Sequence, residues 1–267
     1  MGVRLRYLRV GAGNRVVLLH TLRTQLEMYR GVIERLDPSE VDAVALDLPG
    51  HGHSEAPNVA YTIDYFSDVV AEFLARLQLQ GVTLVGESIG GTIALTLAAR
   101  RNPAVARVIT INPYDYGRWG GIRRSSPAAN VLFTAILWPA IGPLVARGET
   151  KQILRTVMRG GVHDKRAISA GLLDELHKSG RRPGHPRALR SLSREWRSFV
   201  GARERYAQIT VPVTLVYGAQ DWSRHAEREA NRRAIPGARL VTIERCGHFA
   251  TLDQPDAISD LIASELT

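Results

Sequence analysis

Residues 82–95 read Val82-Thr83-Leu84-Val85-Gly86-Glu87-Ser88-Ile89-Gly90-Gly91-Thr92-Ile93-Ala94-Leu95. The first part is a short apolar run, as expected of a buried strand. The second part opens a helix, and the turn between them is very tight. Small residues two before and two after Ser88 keep the strand and the helix from colliding at such a turn. The hydroxyl is then pushed out over the edge of the sheet. There the free N–H groups at the start of the helix offer a positive end, with that of Ile89 placed to receive an oxyanion. The plainer alternative is a glycine-rich strand-to-helix turn with Ser88 as a helix cap.

The chain around this turn alternates strand and helix. Upstream, Val3–Val10, Val16–His20 and Val41–Leu48 read as strands. Gln25–Leu36 and Tyr61–Leu79 carry helical apolar spacing. Downstream come helix Ser88–Arg101 and strand Val105–Ile111. Strand Val211–Tyr217, helix His225–Ala234, strand Arg239–Ile243 and helix Pro255–Leu266 close the chain. Such alternation predicts an α/β fold with a mostly parallel central sheet and helices on both faces. Between the two strand-bearing parts the alternation stops. The domain reading is therefore a core of residues 1–113 and 207–267, with an inserted helical cap over 114–206. Within the cap, Asp164–Lys178 reads as one amphipathic helix. Leu189, Leu192, Trp196 and Phe199 form the apolar face of another, with Arg187, Arg190, Arg194 and Arg197 as its basic face.

Further stretches carry a resemblance. Asp47-Leu48-Pro49-Gly50-His51-Gly52-His53-Ser54 looks like the D-x-P-G-x-G-x-S turn of the α/β-hydrolase family. Tyr217-Gly218-Ala219-Gln220-Asp221 resembles the strand end that bears its acid, and Cys246-Gly247-His248-Phe249 its histidine turn. With Gly86-Glu87-Ser88-Ile89-Gly90 they follow the family order Ser, Asp, His. The resemblance spans nearly the whole chain and implies a cap-containing serine hydrolase, with Ser88 as nucleophile, His248 as general base and Asp221 as its orienting acid. Two alternatives bear on the acid. Asp221 is also placed to cap a helix from Ser223, and Asp115 lies just beyond an earlier strand, where some family members keep their acid. The family pattern favours Asp221.

The resemblance also implies a second oxyanion donor from the loop after Val16–His20. The family usually reads His-Gly there, whereas this chain reads His20-Thr21-Leu22-Arg23-Thr24. A β-branched Thr is a poor occupant of positive φ, so a differently shaped loop is expected, with the Leu22 N–H as donor and Thr21 second. Losing one such donor costs about 3 kcal/mol of transition-state stabilisation. The implied reaction is cleavage of an ester-like acyl bond of a mainly apolar small substrate. A thioesterase or a carbon–carbon bond hydrolase is the alternative, and a ligand-binding member without catalysis a third. A serine at position 88 argues against the relatives that use Asp as nucleophile.

Composition bounds the rest. The 267 residues, 45% hydrophobic and 23% charged, suit one large globular domain. A single cysteine, Cys246, excludes an internal disulfide framework and fits a reducing, cytoplasmic setting. No metal cluster or nucleotide-binding loop is apparent, so neither metal nor cofactor is expected. Val131–Ala146 is the longest apolar stretch, but it is too short for a membrane span and contains Pro139 and Pro143. Phe133 and Trp138 within it, together with Thr21, are the expected pocket wall. Residues 115–205 hold 18 Lys or Arg against 7 Asp or Glu, a net of +11, while the rest of the chain is at −2. This basic cap is either a solvated face or suited to an anionic partner: an acyl carrier, a coenzyme A ester or a phospholipid surface. No nucleic-acid motif accompanies the charge.

Overall fold

The computed structural model of the protein describes residues 2–117 and 121–266. Seven strands form one sheet: β1 (Tyr7–Val10), β2 (Asn14–Leu19), β3 (Val41–Leu46), β4 (Val82–Glu87), β5 (Val105–Ile111), β6 (Val213–Gly218) and β7 (Arg239–Ile243). Their order across the sheet is β1-β3-β2-β4-β5-β6-β7, and only β1 runs antiparallel, against β3. The chain passes from β2 to β3 on one side, then crosses to β4 on the other. The crevice at the carboxyl ends of β2 and β4 is thus the switch point of the topology, the usual ligand site in such sheets. Leu19 of β2 faces Gly86 of β4, which brings the loop after His20 beside Ser88.

The core helices are α1 (Arg30–Ile33), α2 (Ile63–Arg76) and α3 (Ile89–Ala99). Among its described residues the segment between β5 and β6 carries helices and no strand: α4 (Pro127–Leu137), α5 (Gly142–Arg147), α6 (Lys151–Arg159), α7 (Ala170–Gly180), α8 (His185–Arg194) and α9 (Trp196–Gly201). After β6 come α10 (His225–Ala234), α11 (Ala250–Asp253) and α12 (Pro255–Leu266). Every residue of α3 is buried, as its apolar circumference requires. Strands β3, β4 and β6 are buried along their whole length, which is why they read as continuous apolar runs rather than alternating ones.

Several expected elements are shorter or divided. Only Tyr7–Val10 of the first strand pairs regularly, because its partner β3 ends at Leu46, where the chain turns away through Pro49. The helix expected over 25–36 is a 3-10 turn, Leu26–Tyr29, followed by the single turn of α1. In the cap, Ser169 caps α7 through a bond from the Leu172 N–H, and this separates it from a 3-10 turn at Lys165–Ala167. The face expected to be continuous from Leu189 to Phe199 breaks at Glu195, between α8 and α9.

Polar ties hold the cap on the core. Arg23 donates to the Leu176 carbonyl at 2.8 Å and pairs with Glu149. Arg124 makes a two-armed bond to Glu227 at 2.7 and 2.8 Å. Asp253 accepts from the N–H groups of His163, Asp164 and Gly247. A separate apolar cluster of Met28, Leu154, Met158, Val162, Leu173 and Leu176 packs against Phe249, the residue after His248.

Candidate active site

Ser88 lies between β4 and α3 with φ 56° and ψ −115°, a positive-φ conformation that is strained for a residue with a Cβ. Two glycines permit it. A Cβ at Gly90 would lie 2.1 Å from the Leu19 carbonyl oxygen and 2.8 Å from that of His20. One at Gly86 would lie 2.2 Å from the Gly90 carbonyl oxygen. The turn therefore presses its backbone directly against β2, and no side chain fits in between.

The loop after β6 carries Asp221, and the loop after β7 carries His248. The Nδ1 of His248 lies 2.6 Å from Oδ1 of Asp221, with both side chains almost wholly buried. Burial by itself would raise the Asp221 carboxyl. The adjacent His248 and the N–H and hydroxyl of Ser223 outweigh it and hold the group below the usual carboxylate range. The second oxygen of Asp221 is the one that accepts from Ser223, but no helix begins there: α10 starts at His225, with Arg224 as its N-cap. Asp115 has different company. It is fully buried and accepts from the Tyr206 hydroxyl at 2.9 Å, from Asn231 Nδ2 and from Arg203. Its bonds lock the ends of the cap to α10, and none reaches His248.

Three neighbours position the histidine. Trp222 stacks on its ring, with centroids 4.0 Å apart at 16°, and is itself held by a bond from Nε1 to the Gly160 carbonyl. Phe249 meets it edge-on and donates its N–H to the Gly161 carbonyl. Asn112, at the end of β5 with φ 46°, donates to the carbonyls of Gly247 and His248 and accepts from the Gly218 N–H. It joins the ends of β5 and β6 to the turn that bears His248. Neither Asn112 nor Trp222 carried a sequence signal, since each acts through a partner far along the chain.

The loop after β2 departs from the expected source of strain. The left-handed residue is Arg23, φ 62°, and Thr21 is not among the positive-φ positions. His20 explains the shape. Its Nε2 accepts from the Leu48 N–H at 2.9 Å, so its Nδ1 carries the proton and donates to the Thr21 carbonyl at 2.8 Å. The Thr24 hydroxyl donates to the same carbonyl. A buried histidine thus organises this turn where a glycine was expected.

These parts share one cavity of about 740 Å³, its mouth included. Ser88, His248, Ile89, Leu22 and Thr21 lie on its core side, and Trp222 and Phe249 flank His248. Phe133, Leu137, Leu192, Trp196 and Phe199 form the cap side. Of the two cap residues proposed from the sequence, Phe133 lies on this lining and Trp138 does not. Trp138 is 62% exposed and lies outside the lining, where Leu137 takes the expected place. Pro139 is the reason. The residue before a proline is driven out of the helical region, and Trp138 caps α4 at φ −67°, ψ 130°, facing solvent. Arg123 also contributes to the lining, which contains no Asp or Glu among the described residues.

Beneath the turn lies Glu87, fully buried and pushed up to about 8 by loss of solvation. It accepts from the N–H and hydroxyl of Thr251, both at 3.1 Å, tying the strand before Ser88 to the helix after His248. Among the described residues no group of three or more His, Cys, Asp or Glu is arranged to hold a metal, and no helix is long and apolar enough to cross a membrane.

The profile of the alpha/beta hydrolase family matches residues 16–261, from β2 into α12. The chain belongs to that family. This α/β hydrolase is 27% identical over 277 residues to an uncharacterised protein of Mycobacterium tuberculosis, covering 98% of this chain and 77% of the relative. It is 28% identical over 257 residues to a pimeloyl-[acyl-carrier protein] methyl ester esterase of Neisseria meningitidis, covering 94% and 92%. Among solved structures, Cfl2 of Burkholderia cenocepacia superposes with a TM-score of 0.87 at 22% identity, covering 100% of this chain and 93% of that one. At that identity the likeness concerns the fold.

Proposed function

We propose that this α/β hydrolase cleaves carboxylic esters of mainly apolar acyl groups through an acyl-enzyme on Ser88. The observation that carries the reading is the buried Asp221–His248 pair, which opens with Ser88 onto one cavity of predominantly apolar lining. In this mechanism His248 takes the hydroxyl proton as Ser88 attacks the carbonyl carbon. Asp221 accepts the Nδ1–H, keeps Nε2 free to act as the base and stabilises the imidazolium that forms. The developing oxyanion is received by the N–H groups of Ile89 and Leu22. Ile89 contributes the positive end of α3, and Leu22 stands in the turn fixed by His20. His248 then passes its proton to the leaving alcohol, and water releases the acid by the same steps. The ester chemistry named for the Neisseria relative supports an oxygen ester ahead of a thioester or a carbon–carbon bond.

The test is intact-mass labelling with a fluorophosphonate, followed by peptide mapping and a panel of matched oxygen esters and thioesters. A single adduct on Ser88, lost in His248→Ala, with oxygen esters turned over faster, is expected. No adduct on folded protein would instead favour a binding member of the family without catalysis.

A further inference from the structure

The cap carries a second feature that ester cleavage does not use. Among the described residues eight large hydrophobic side chains are exposed, and four of them, Val131, Trp138, Ile141 and Leu144, lie within residues 131–144. Three of these, Val131 at 69%, Leu144 at 68% and Trp138 at 62%, are the most exposed of the eight. Val131 and Trp138 are seven residues apart, two turns along one side of α4. Trp138, Ile141 and Leu144 follow in steps of three across the turn that joins α4 to α5, in which the Gly142 N–H bonds to the Trp138 carbonyl and the Leu144 N–H to that of Ile141. The feature is thus a ridge along the tip of α4 and α5, and isolated exposed apolar residues would not form one.

The charge beside the ridge has one sign. Between Asp115 and Glu149 the sequence contains no Asp or Glu, and α8, packed on α5, contains none either. Arg190 of α8 donates to the carbonyls of Ile136 and Trp138, which puts its guanidinium at the base of the ridge. Arg194 is one helical turn away and exposed, and exposed Arg147 ends α5 three residues after Leu144. Among the described residues none of these three arginines forms an ion pair. The opposite side of α4 supplies Phe133 and Leu137 to the catalytic cavity.

The geometry points to the α4–α5 ridge as a docking surface for an anionic phospholipid bilayer, with Val131, Trp138, Ile141 and Leu144 inserted among the headgroups and Arg147, Arg190 and Arg194 on the lipid phosphates. A tryptophan among aliphatic side chains, bordered by arginine, is the composition that partitions into a bilayer interface. Docking in this pose sets the cap side of the cavity against the membrane, so an apolar substrate dissolved there reaches the wall formed by Phe133 and Leu137. The binding does not depend on the chemistry of Ser88.

The test is co-sedimentation of the full chain with vesicles of phosphatidylcholine, with and without phosphatidylglycerol, at low and high salt. The expected result is binding to the phosphatidylglycerol vesicles, weakened by salt. Trp138→Ser with Leu144→Ser should lower the partition about tenfold, and Arg147→Gln and Arg194→Gln about fivefold each. Ser88→Ala should bind like the wild type, which separates this inference from the hydrolase reading. The ridge variants should keep their turnover of a soluble short-chain ester, which shows that they are folded. Failure to sediment with anionic vesicles at low salt would overturn the proposal, as would undiminished binding by the double variant. A dimer in sedimentation velocity that the double variant dissolves, without vesicle binding, would assign the ridge to a second copy. Capture by an acyl carrier protein in place of vesicles would assign it to that partner.

Discussion

Two buried aspartates lie at strand ends near the cavity, and exchanging each for asparagine separates their roles. At position 221 the neighbours decide how the new amide sits. Ser223 donates its N–H at 2.9 Å, and also its hydroxyl, to Asp221 Oδ2. In Asp221→Asn the amide oxygen must therefore face Ser223, which turns the NH₂ toward His248 Nδ1. The histidine then accepts at Nδ1 and carries its proton on Nε2, the nitrogen that should take the proton from Ser88. The wrong tautomer costs about 10⁴ in kcat where the same exchange has been made in serine hydrolases, or about 5 kcal/mol of barrier. At position 115 the carboxylate serves Tyr206, Asn231 and the part-exposed Arg203. Its neutralisation should cost about 1–3 kcal/mol of stability and leave kcat within a few-fold. The assay is hydrolysis of a short-chain chromogenic ester, alongside urea denaturation of the same preparations. Folded Asp115→Asn protein as inactive as Asp221→Asn would refute the reasoning, and so would Asp221→Asn within tenfold of wild type.

Other consequences can be measured directly. Glu87 is protonated in the fold up to about pH 8 but ionised in the unfolded chain above its ordinary value, so its contribution to stability is complete at low pH and declines as pH rises toward 8. Glu87→Gln should remove this loss: its stability advantage, followed by denaturant midpoints, should grow by roughly 1.4 kcal/mol per pH unit between about pH 5 and 8 and then level off. An advantage that does not change with pH would show that Glu87 is ionised in the fold. Gly90→Ala should destabilise the protein by more than about 3 kcal/mol, because the added Cβ meets two backbone carbonyls that cannot yield; a calorimetric midpoint near wild type would contradict the tight turn.

Much of the candidate site is legible in the chain because its geometry depends on local turns. Gly86, Gly90 and Ser88 are readable since a strand-to-helix reversal within a few residues tolerates few alternatives. Asp221 and His248 are readable because each follows a strand end in a characteristic turn. In the sequence, the choice of Asp221 over Asp115 rests on family pattern alone; the 2.6 Å contact with His248 and the separate hydrogen-bond network of Asp115 distinguish them physically. The pocket is less legible. Periodicity assigns Phe133 and Trp138 to one apolar segment, but it does not register that Pro139 ends the helix and turns Trp138 outward.

Read alone, the chain establishes the alternation of strands and helices, the position of the tight turn, the order of the three candidate catalytic residues and the basic excess of the cap. These follow from apolar period, glycine placement and charge, all properties of neighbouring residues. The folded arrangement was needed to show that His20 shapes the loop beside Ser88 and that Asn112 and Trp222 support His248. It was needed also to show which side of α4 faces the cavity and which side forms an exposed ridge. Each of these depends on groups brought together across the switch point of the sheet or between cap and core, where separation along the chain carries no information about distance in space.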